Sequence, residues 1–187
     1  AAIGRHAGMR IVGPNCIGML NFGSKAGVTF MIPPPMEAPL PQALGLVSQS
    51  GALGFSLAQA VMRGVSVSHL LTTGNSSDID VADCVSFLAD DPGCKAIACV
   101  FEGMPDPMRF IEAAQIADAA NKPLVVFKLG TGEQGAAAAM SHTGSLAGSQ
   151  AAYRAAFQRA GAILVDNFEA MVETASFLAK APPPKAR

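Results

Sequence analysis

Residues 44–54 read Leu-Gly-Leu-Val-Ser-Gln-Ser-Gly-Ala-Leu-Gly, which is a short apolar run, a polar turn and the beginning of a helical pattern. The run at 44–47 is typical of a buried strand. Ser and Gly within 48–51 suit a tight turn, and a helical pattern begins at residue 52. The stretch therefore predicts a strand that turns directly into a helix, the first half of a βαβ unit.

The same alternation continues along the chain between two Pro-rich segments, residues 31–41 and 182–184. The predicted strands are residues 44–47, 67–71, 96–101, 124–129 and 162–165. The predicted helices are residues 52–63, 79–89, 107–120, 146–160 and 168–179, with Asp78, Asp106 and Asn167 as N-caps of the second, third and fifth. Short connections favour right-handed crossovers. The predicted fold is α/β, a flavodoxin-like doubly wound five-stranded parallel sheet in three αβα layers, with strand order 2-1-3-4-5.

Composition excludes several classes of protein. Half of the residues are hydrophobic and 14% are charged, which fits a sheet that is buried on both faces. The net charge of −1 gives no basic footprint for nucleic acid. No apolar run approaches the roughly 20 residues of a membrane span, and no signal-peptide pattern is visible. The four cysteines lack C-x-x-C or zinc spacing, so we expect free thiols, a cytoplasmic protein and no metal site.

Polar residues follow three of the predicted strands, at the sheet edge where ligands bind in open α/β folds. Ser50 and Gly51 follow the first strand, Glu102 follows the third, and Lys128 ends the fourth on the way to His142. Because these strands are neighbours in the predicted order, Ser50, Glu102 and His142 can converge. Each feature also has a plain explanation, as a strand-to-helix turn or a solvated carboxylate. Their position on one edge favours a site.

The residues Ser141-His142-Thr143-Gly144-Ser145 place a histidine just before a helical pattern. Unpaired N–H groups and the dipole at a helix N-terminus favour an anion. A neutral imidazole is both a base and a nucleophile, so His142 beside an anion site can accept a phosphoryl group. A capping turn with an uninvolved histidine is the alternative on these residues alone.

Four motifs together resemble the NDP-forming acyl-CoA synthetases, the group of acetate–CoA ligase and alpha-type succinyl-CoA synthetase. They are residues 45–54, 73–75, 101–103 and 141–149. Upstream, residues 13–18 resemble the tail of the family's CoA-binding Rossmann domain. The similarity implies three parts, which are a remnant of that domain with a Pro-rich linker (1–43), a succinyl-CoA-ligase-like flavodoxin domain (44–180) and the start of a linker (181–187). We expect 10–41 to be held loosely or to borrow contacts from a neighbouring chain, because its apolar residues Ile11, Val12, Ile17 and Leu20 would lack their native core.

The resemblance implies a reversible ligase that converts an acid, CoA and ATP into acyl-CoA, ADP and phosphate. By similarity His142 is the phosphorylated residue, and Glu102 holds its imidazole. The other implied site residues are Ser50, Gly51, Gly144 and Ser145 for phosphate and Asn15 and Cys16 for CoA.

The implied cofactors are coenzyme A, and ATP or ADP with Mg²⁺ bound by an ATP-grasp domain that this sequence does not contain. The implied partners are that ATP-grasp domain or subunit, the CoA-binding Rossmann domain, and a small organic acid or its acyl phosphate, with self-association left open. Since the glycine-rich first half of the Rossmann domain is missing, we expect one domain of a larger enzyme that is inactive alone.

Three alternatives come from other classes. The first is a non-catalytic CoA- or acyl-CoA-sensing domain of an acetyltransferase-like protein, which would have no need of His142. The second is a serine hydrolase, although Ser48 and Ser50 lack the G-x-S-x-G elbow. The third is a plain flavodoxin-like binding domain, which a visible spectrum of bound flavin would reveal.

Overall fold

The structure, a computed structural model, describes residues 2–104, 106–130 and 150–182. The strands are β1 (Gly18–Asn21), β2 (Ala26–Thr29), β3 (Leu44–Ser48), β4 (Val67–Thr72), β5 (Ala96–Phe101), β6 (Leu124–Lys128) and β7 (Ile163–Leu164). The helices are α1 (Ala2–His6), α2 (Gly51–Ala58), α3 (Val81–Asp90), α4 (Pro107–Ala119), α5 (Gln150–Arg159) and α6 (Phe168–Lys180), with a 3₁₀ turn at Gln59–Arg63. None of these helices has the length and apolar character that a transmembrane span requires.

Within the described ranges, the strands form one seven-stranded sheet in the order β2-β1-β4-β3-β5-β6-β7. Five of these strands, β4, β3, β5, β6 and β7, pair in parallel with their neighbours. This confirms the predicted doubly wound fold and its 2-1-3-4-5 order. The central strands β3 and β5 are buried along their whole length. Buried strands of this kind read as continuous apolar runs, which is why the sequence marks them clearly.

Helices cover both faces of the sheet and give it three layers. Side chains of α3, α4 and α5 pack on one face, and those of α2 and α6 pack on the other. On the first face, the rings of Phe101 and Phe157 both contact Phe110, with centroids 4.9 Å apart in each pair. Aromatic pairs at this spacing add to the stabilisation from buried area, so this cluster fixes α4 and α5 to β5.

A β-hairpin at the edge of the sheet corrects one prediction. Strand β1 pairs antiparallel with both β4 and β2, so the hairpin extends the five parallel strands to seven. Leu20 and Phe22 are each only 1% exposed and belong to the core on the α2 face. The expectation that the apolar residues of 10–41 lack a core is therefore wrong for Leu20, and Ile17 also packs against this core. The boundary drawn at residue 43 falls between β2 and β3 of one sheet.

Helix starts follow the predicted caps with one exception. Asp106 and Asn167 cap α4 and α6 through their side chains, as predicted. The cap of α3 is Asp80, which forms a capping box with Asp83, and not Asp78. The Asp78 carboxylate instead accepts a hydrogen bond from the backbone N–H of Ile11 at 3.0 Å. It thereby holds the N-terminal segment against the start of α3.

Candidate functional site

A cleft of about 210 Å³ lies at the carboxyl edge of the sheet, beside the first turn of α2. Its lining includes Asn15, Ser50, Gly51, Gly74, Asn75 and Glu102. The cleft thus brings together two predicted phosphate-binding residues, the predicted carboxylate and one predicted CoA-binding residue. Parallel strands with right-handed crossovers place the ends of β3 and β5 at one edge, which is the reason that the sequence could anticipate the grouping of Ser50 with Glu102. Asn15 joins them through the segment before β1, which the sequence did not place here.

The first turn of α2 provides the polar end of the cleft. Ser50 is the N-cap, and its hydroxyl accepts a hydrogen bond from the Leu53 N–H at 3.4 Å. The N–H groups of Gly51 and Ala52 lie in the first turn of α2, where the helix has no earlier carbonyl oxygen to accept their hydrogen bonds. They are therefore available to an anion. Gly51 is required by packing, because a Cβ there would lie 2.5 Å from Cγ1 of Ile17.

Gln49 is a site residue whose role the sequence pattern does not indicate. Its Oε1 accepts hydrogen bonds from the N–H groups of Glu102 at 2.8 Å and Gly103 at 3.2 Å. Its Nε2 donates to the Gly103 carbonyl at 2.9 Å. The side chain therefore joins the ends of β3 and β5. The available signal was a long amide side chain directly after a buried strand, where a turn alone calls for small residues.

Lys128, at the end of β6, holds the same turn from the other side. Its Nζ donates to the carbonyl oxygens of Glu102 at 2.7 Å and Leu129 at 2.9 Å. The ammonium also lies 4.8 Å from the ring centroid of Tyr153 on α5. Burial lowers the pKa of Lys128, and the negative charge of Glu102 opposes that shift. Lys128 therefore ties the backbone at Glu102, which lines the cleft, to the end of β6.

The two predicted CoA-binding residues have different surroundings. Asn15 lines the cleft, and its Nδ2 donates to Oδ1 of Asn75 at 3.3 Å. The Cys16 thiol donates instead to the carbonyl oxygen of Thr72 at 2.9 Å, and Cys16 is not among the residues of the cleft wall. Cys16 thus anchors the segment that carries Asn15 to the end of β4.

The remaining predicted site residues, His142, Gly144 and Ser145, lie outside the described residues. The proximity of His142 to Glu102 therefore stays a prediction. In the described ranges, no three His, Cys, Asp or Glu side chains lie close enough together to hold a metal ion.

Replacing Gly74 with alanine is expected to lower the free energy of unfolding by about 2–3 kcal/mol. Gly74 has φ +58°, and a Cβ there would meet the Pro14 carbonyl oxygen and lie 2.5 Å from that of Asn15. These are backbone atoms that cannot rotate away, so the loop before β1 must shift and strain its hydrogen bond from Asn75 N–H to the Pro14 carbonyl. Urea denaturation of this chain measures the change.

Gly64 provides the matched control. Its φ is +80°, and a Cβ there would have no neighbour within 4 Å. The Gly64→Ala variant should therefore lose only the backbone cost of the left-handed conformation, about 1 kcal/mol. Equal losses in the two variants would show that the close contact between Gly74 and the loop contributes nothing to the free energy of unfolding.

Comparison with known proteins places the chain in a family. Residues 41–178 match the model of the succinyl-CoA ligase-like flavodoxin domain. The alpha subunits of ADP-forming acetate–CoA ligases I and II of Pyrococcus furiosus are 40% and 38% identical over 97% and 90% of this chain. The chain spans only 38% and 36% of the length of those two relatives.

A solved structure gives the same result. Acetyl-coenzyme A synthetase 1 of Ca. Korarchaeum cryptofilum, in complex with phosphate and ADP, superposes with a TM-score of 0.86 at 34% identity. The match covers 98% of this chain and 39% of the synthetase chain. The predicted resemblance to NDP-forming acyl-CoA synthetases is confirmed, and the chain belongs to the family of succinyl-CoA ligase-like flavodoxin domains.

Proposed function

We propose that this chain is the phosphohistidine-carrying domain of an NDP-forming acyl-CoA synthetase, in which His142 carries the phosphoryl group. The observation that carries the proposal is the cleft that combines the Glu102 carboxylate with the first turn of α2. Relatives named as ADP-forming acetate–CoA ligases support the reaction class.

In the proposed cycle, the His142 imidazole attacks the terminal phosphorus of ATP and ADP leaves. The carboxylate of a small organic acid then takes the phosphoryl group from His142, which yields an acyl phosphate and free imidazole. Attack of the CoA thiolate on the acyl carbon releases phosphate. Each step is reversible, and phosphoryl transfer of this kind depends mainly on positioning and on stabilisation of charge.

The described residues have distinct roles in this proposal. Glu102 accepts a hydrogen bond from one ring nitrogen of His142, which fixes the tautomer so that the other nitrogen is nucleophilic. The N–H groups of Gly51 and Ala52 bind the phosphoryl oxygens, as the start of a helix is suited to do. Ser50 holds that turn in place, and Asn15 contacts CoA while Cys16 anchors its loop.

The remaining components lie in other parts of the proposed enzyme. ATP, ADP and Mg²⁺ are assigned to an ATP-grasp domain or subunit, and most of the CoA site to a Rossmann domain. The share of the relatives' length that this chain leaves uncovered gives room for both. We assign the enzyme to the cytoplasm, because all four cysteines are free thiols, as is usual in reducing compartments.

The test is detection of phosphohistidine by mass spectrometry in the full-length protein after incubation with ATP. We expect acid-labile phosphate on the peptide that contains His142, and its loss when a carboxylic acid and CoA are added. A protein that binds CoA but takes up no phosphate on any histidine would contradict the proposal and favour the sensing domain.

A further inference from the structure

The main chain at Glu102 is held from both sides by side chains of the neighbouring strands. Gln49, which follows β3, accepts from the N–H groups of Glu102 and Gly103 and donates to the Gly103 carbonyl. Lys128, at the end of β6, donates to the Glu102 carbonyl at 2.7 Å. Two side chains therefore bind all four backbone polar groups of this dipeptide.

These contacts come at an energetic cost to the fold. Gln49 is 7% exposed and Lys128 is 4% exposed. A buried ammonium loses its hydration, and apolar residues of similar volume often stabilise such a position as well or better. A methionine could fill the space beside Phe101 and Tyr153, which both lie within 6 Å of the Lys128 ammonium. Stability alone therefore gives a weak reason for a lysine here.

The position of Lys128 gives a stronger reason. Its ammonium bonds to the carbonyl of Leu129, directly after β6, and lies over the ring of Tyr153 on α5. It thus connects the end of β5, the end of β6 and α5. Gln49 stands one residue before Ser50, so it couples the N-cap of α2 to the turn that bears Glu102.

We infer that Gln49 and Lys128 are positioning residues that fix the backbone of Glu102 and thereby orient its carboxylate for phosphoryl transfer. This inference rests on the proposed function. A carboxylate that must support an imidazole needs a fixed direction, and displacement of about 1 Å in such a group can cost about 100-fold in rate. Neither residue needs to touch the substrate to have this effect.

The test uses Gln49→Met and Lys128→Met in the full-length enzyme. Methionine is as long as glutamine and one atom shorter than lysine, and in both places it removes the hydrogen bonds and keeps an unbranched apolar side chain. We expect the single-turnover rate of histidine labelling by ATP to fall by about 10- to 100-fold. The KM values for CoA and the acid should stay within about twofold, because neither side chain is a proposed contact of CoA or of the acid. Unchanged labelling rates in both variants would overturn the inference.

Lys122 offers a matched control at the opposite edge of the sheet. Its Nζ also donates to two backbone carbonyls, those of Leu88 at 2.9 Å and Asp91. Lys122→Met removes the same type of contact far from the cleft, so its labelling rate should stay within about twofold of wild type. An equal loss of rate in Lys122→Met and Lys128→Met would show a general structural effect and overturn the inference.

A double-mutant cycle separates positioning of Glu102 from any other role. In a Glu102→Gln background, the carboxylate is already absent, so Gln49→Met and Lys128→Met should slow labelling by less than about threefold. An undiminished effect in that background would overturn the inference. If one variant fails to fold, the other completes the cycle alone. A wild-type enzyme that takes up no label from ATP refutes the proposed function itself, which distinguishes the two failures.

Discussion

Replacement of His142 by alanine is expected to abolish both ATP-dependent labelling and acyl-CoA formation in the full-length enzyme. The imidazole is the proposed phosphoryl acceptor, and alanine has no atom that can form the phosphorus–nitrogen bond. His142→Asn should behave alike, because an amide fills similar space but is not nucleophilic. The measurement follows acid-labile phosphate on the protein and acyl-CoA in the same samples.

Two further variants define the specificity of that effect. Glu102→Gln keeps a hydrogen-bonding group but loses the charge that favours a cationic imidazole, so we expect a smaller loss, on the order of tenfold to a thousandfold. His6→Ala removes an exposed histidine of α1 and should leave the rates unchanged. If His142→Ala still takes up acid-labile phosphate or still forms acyl-CoA, His142 is not the phosphoryl carrier. The sensing domain then becomes the better explanation of this chain.

The parallel part of the fold could be predicted because its central strands have a strong local signal. Strands β3 and β5 are buried on both faces and appear as apolar runs, and helical patterns with Ser, Asp or Asn caps separate them. Handedness then fixes the order. The hairpin has no such signal, because β1 and β2 have four residues each and both contain glycine. Its place depends on pairing with β4, about 50 residues away in sequence.

The candidate site also has a part that the sequence predicts and a part that it does not. Ser50, Gly51 and Glu102 were found because topology brings the carboxyl ends of neighbouring strands together. The contacts of Gln49 with Glu102 depend on side-chain direction and burial, which spacing does not encode. The sequence shows Lys128 at the end of a predicted strand that leads to His142, but its bond to the Glu102 carbonyl depends on the register of β5 and β6.

A large loss of stability is expected when a core residue of the hairpin is truncated. Leu20→Ala is expected to lower the free energy of unfolding of this chain by about 3 kcal/mol, as measured by urea denaturation. Leu20 is 1% exposed, pairs with Leu70 of β4 and belongs to the core beneath α2. Its truncation leaves a cavity that the surrounding strands cannot close without shifting.

The control is Val28→Ala on the same hairpin, at a residue that is 77% exposed, and it should change the free energy of unfolding by at most about 0.5 kcal/mol.

Hydrogen exchange gives an independent measurement of the stability of the hairpin. The Phe22 N–H donates to the Ser68 carbonyl at 2.9 Å, so its protection should approach that of β3. Weak protection of Phe22 together with a small effect of Leu20→Ala would mean that the hairpin opens independently of the parallel sheet. Strong protection with a large effect would mean that residues 18–29 unfold only when the flavodoxin-like sheet does, because both share the core on the α2 face.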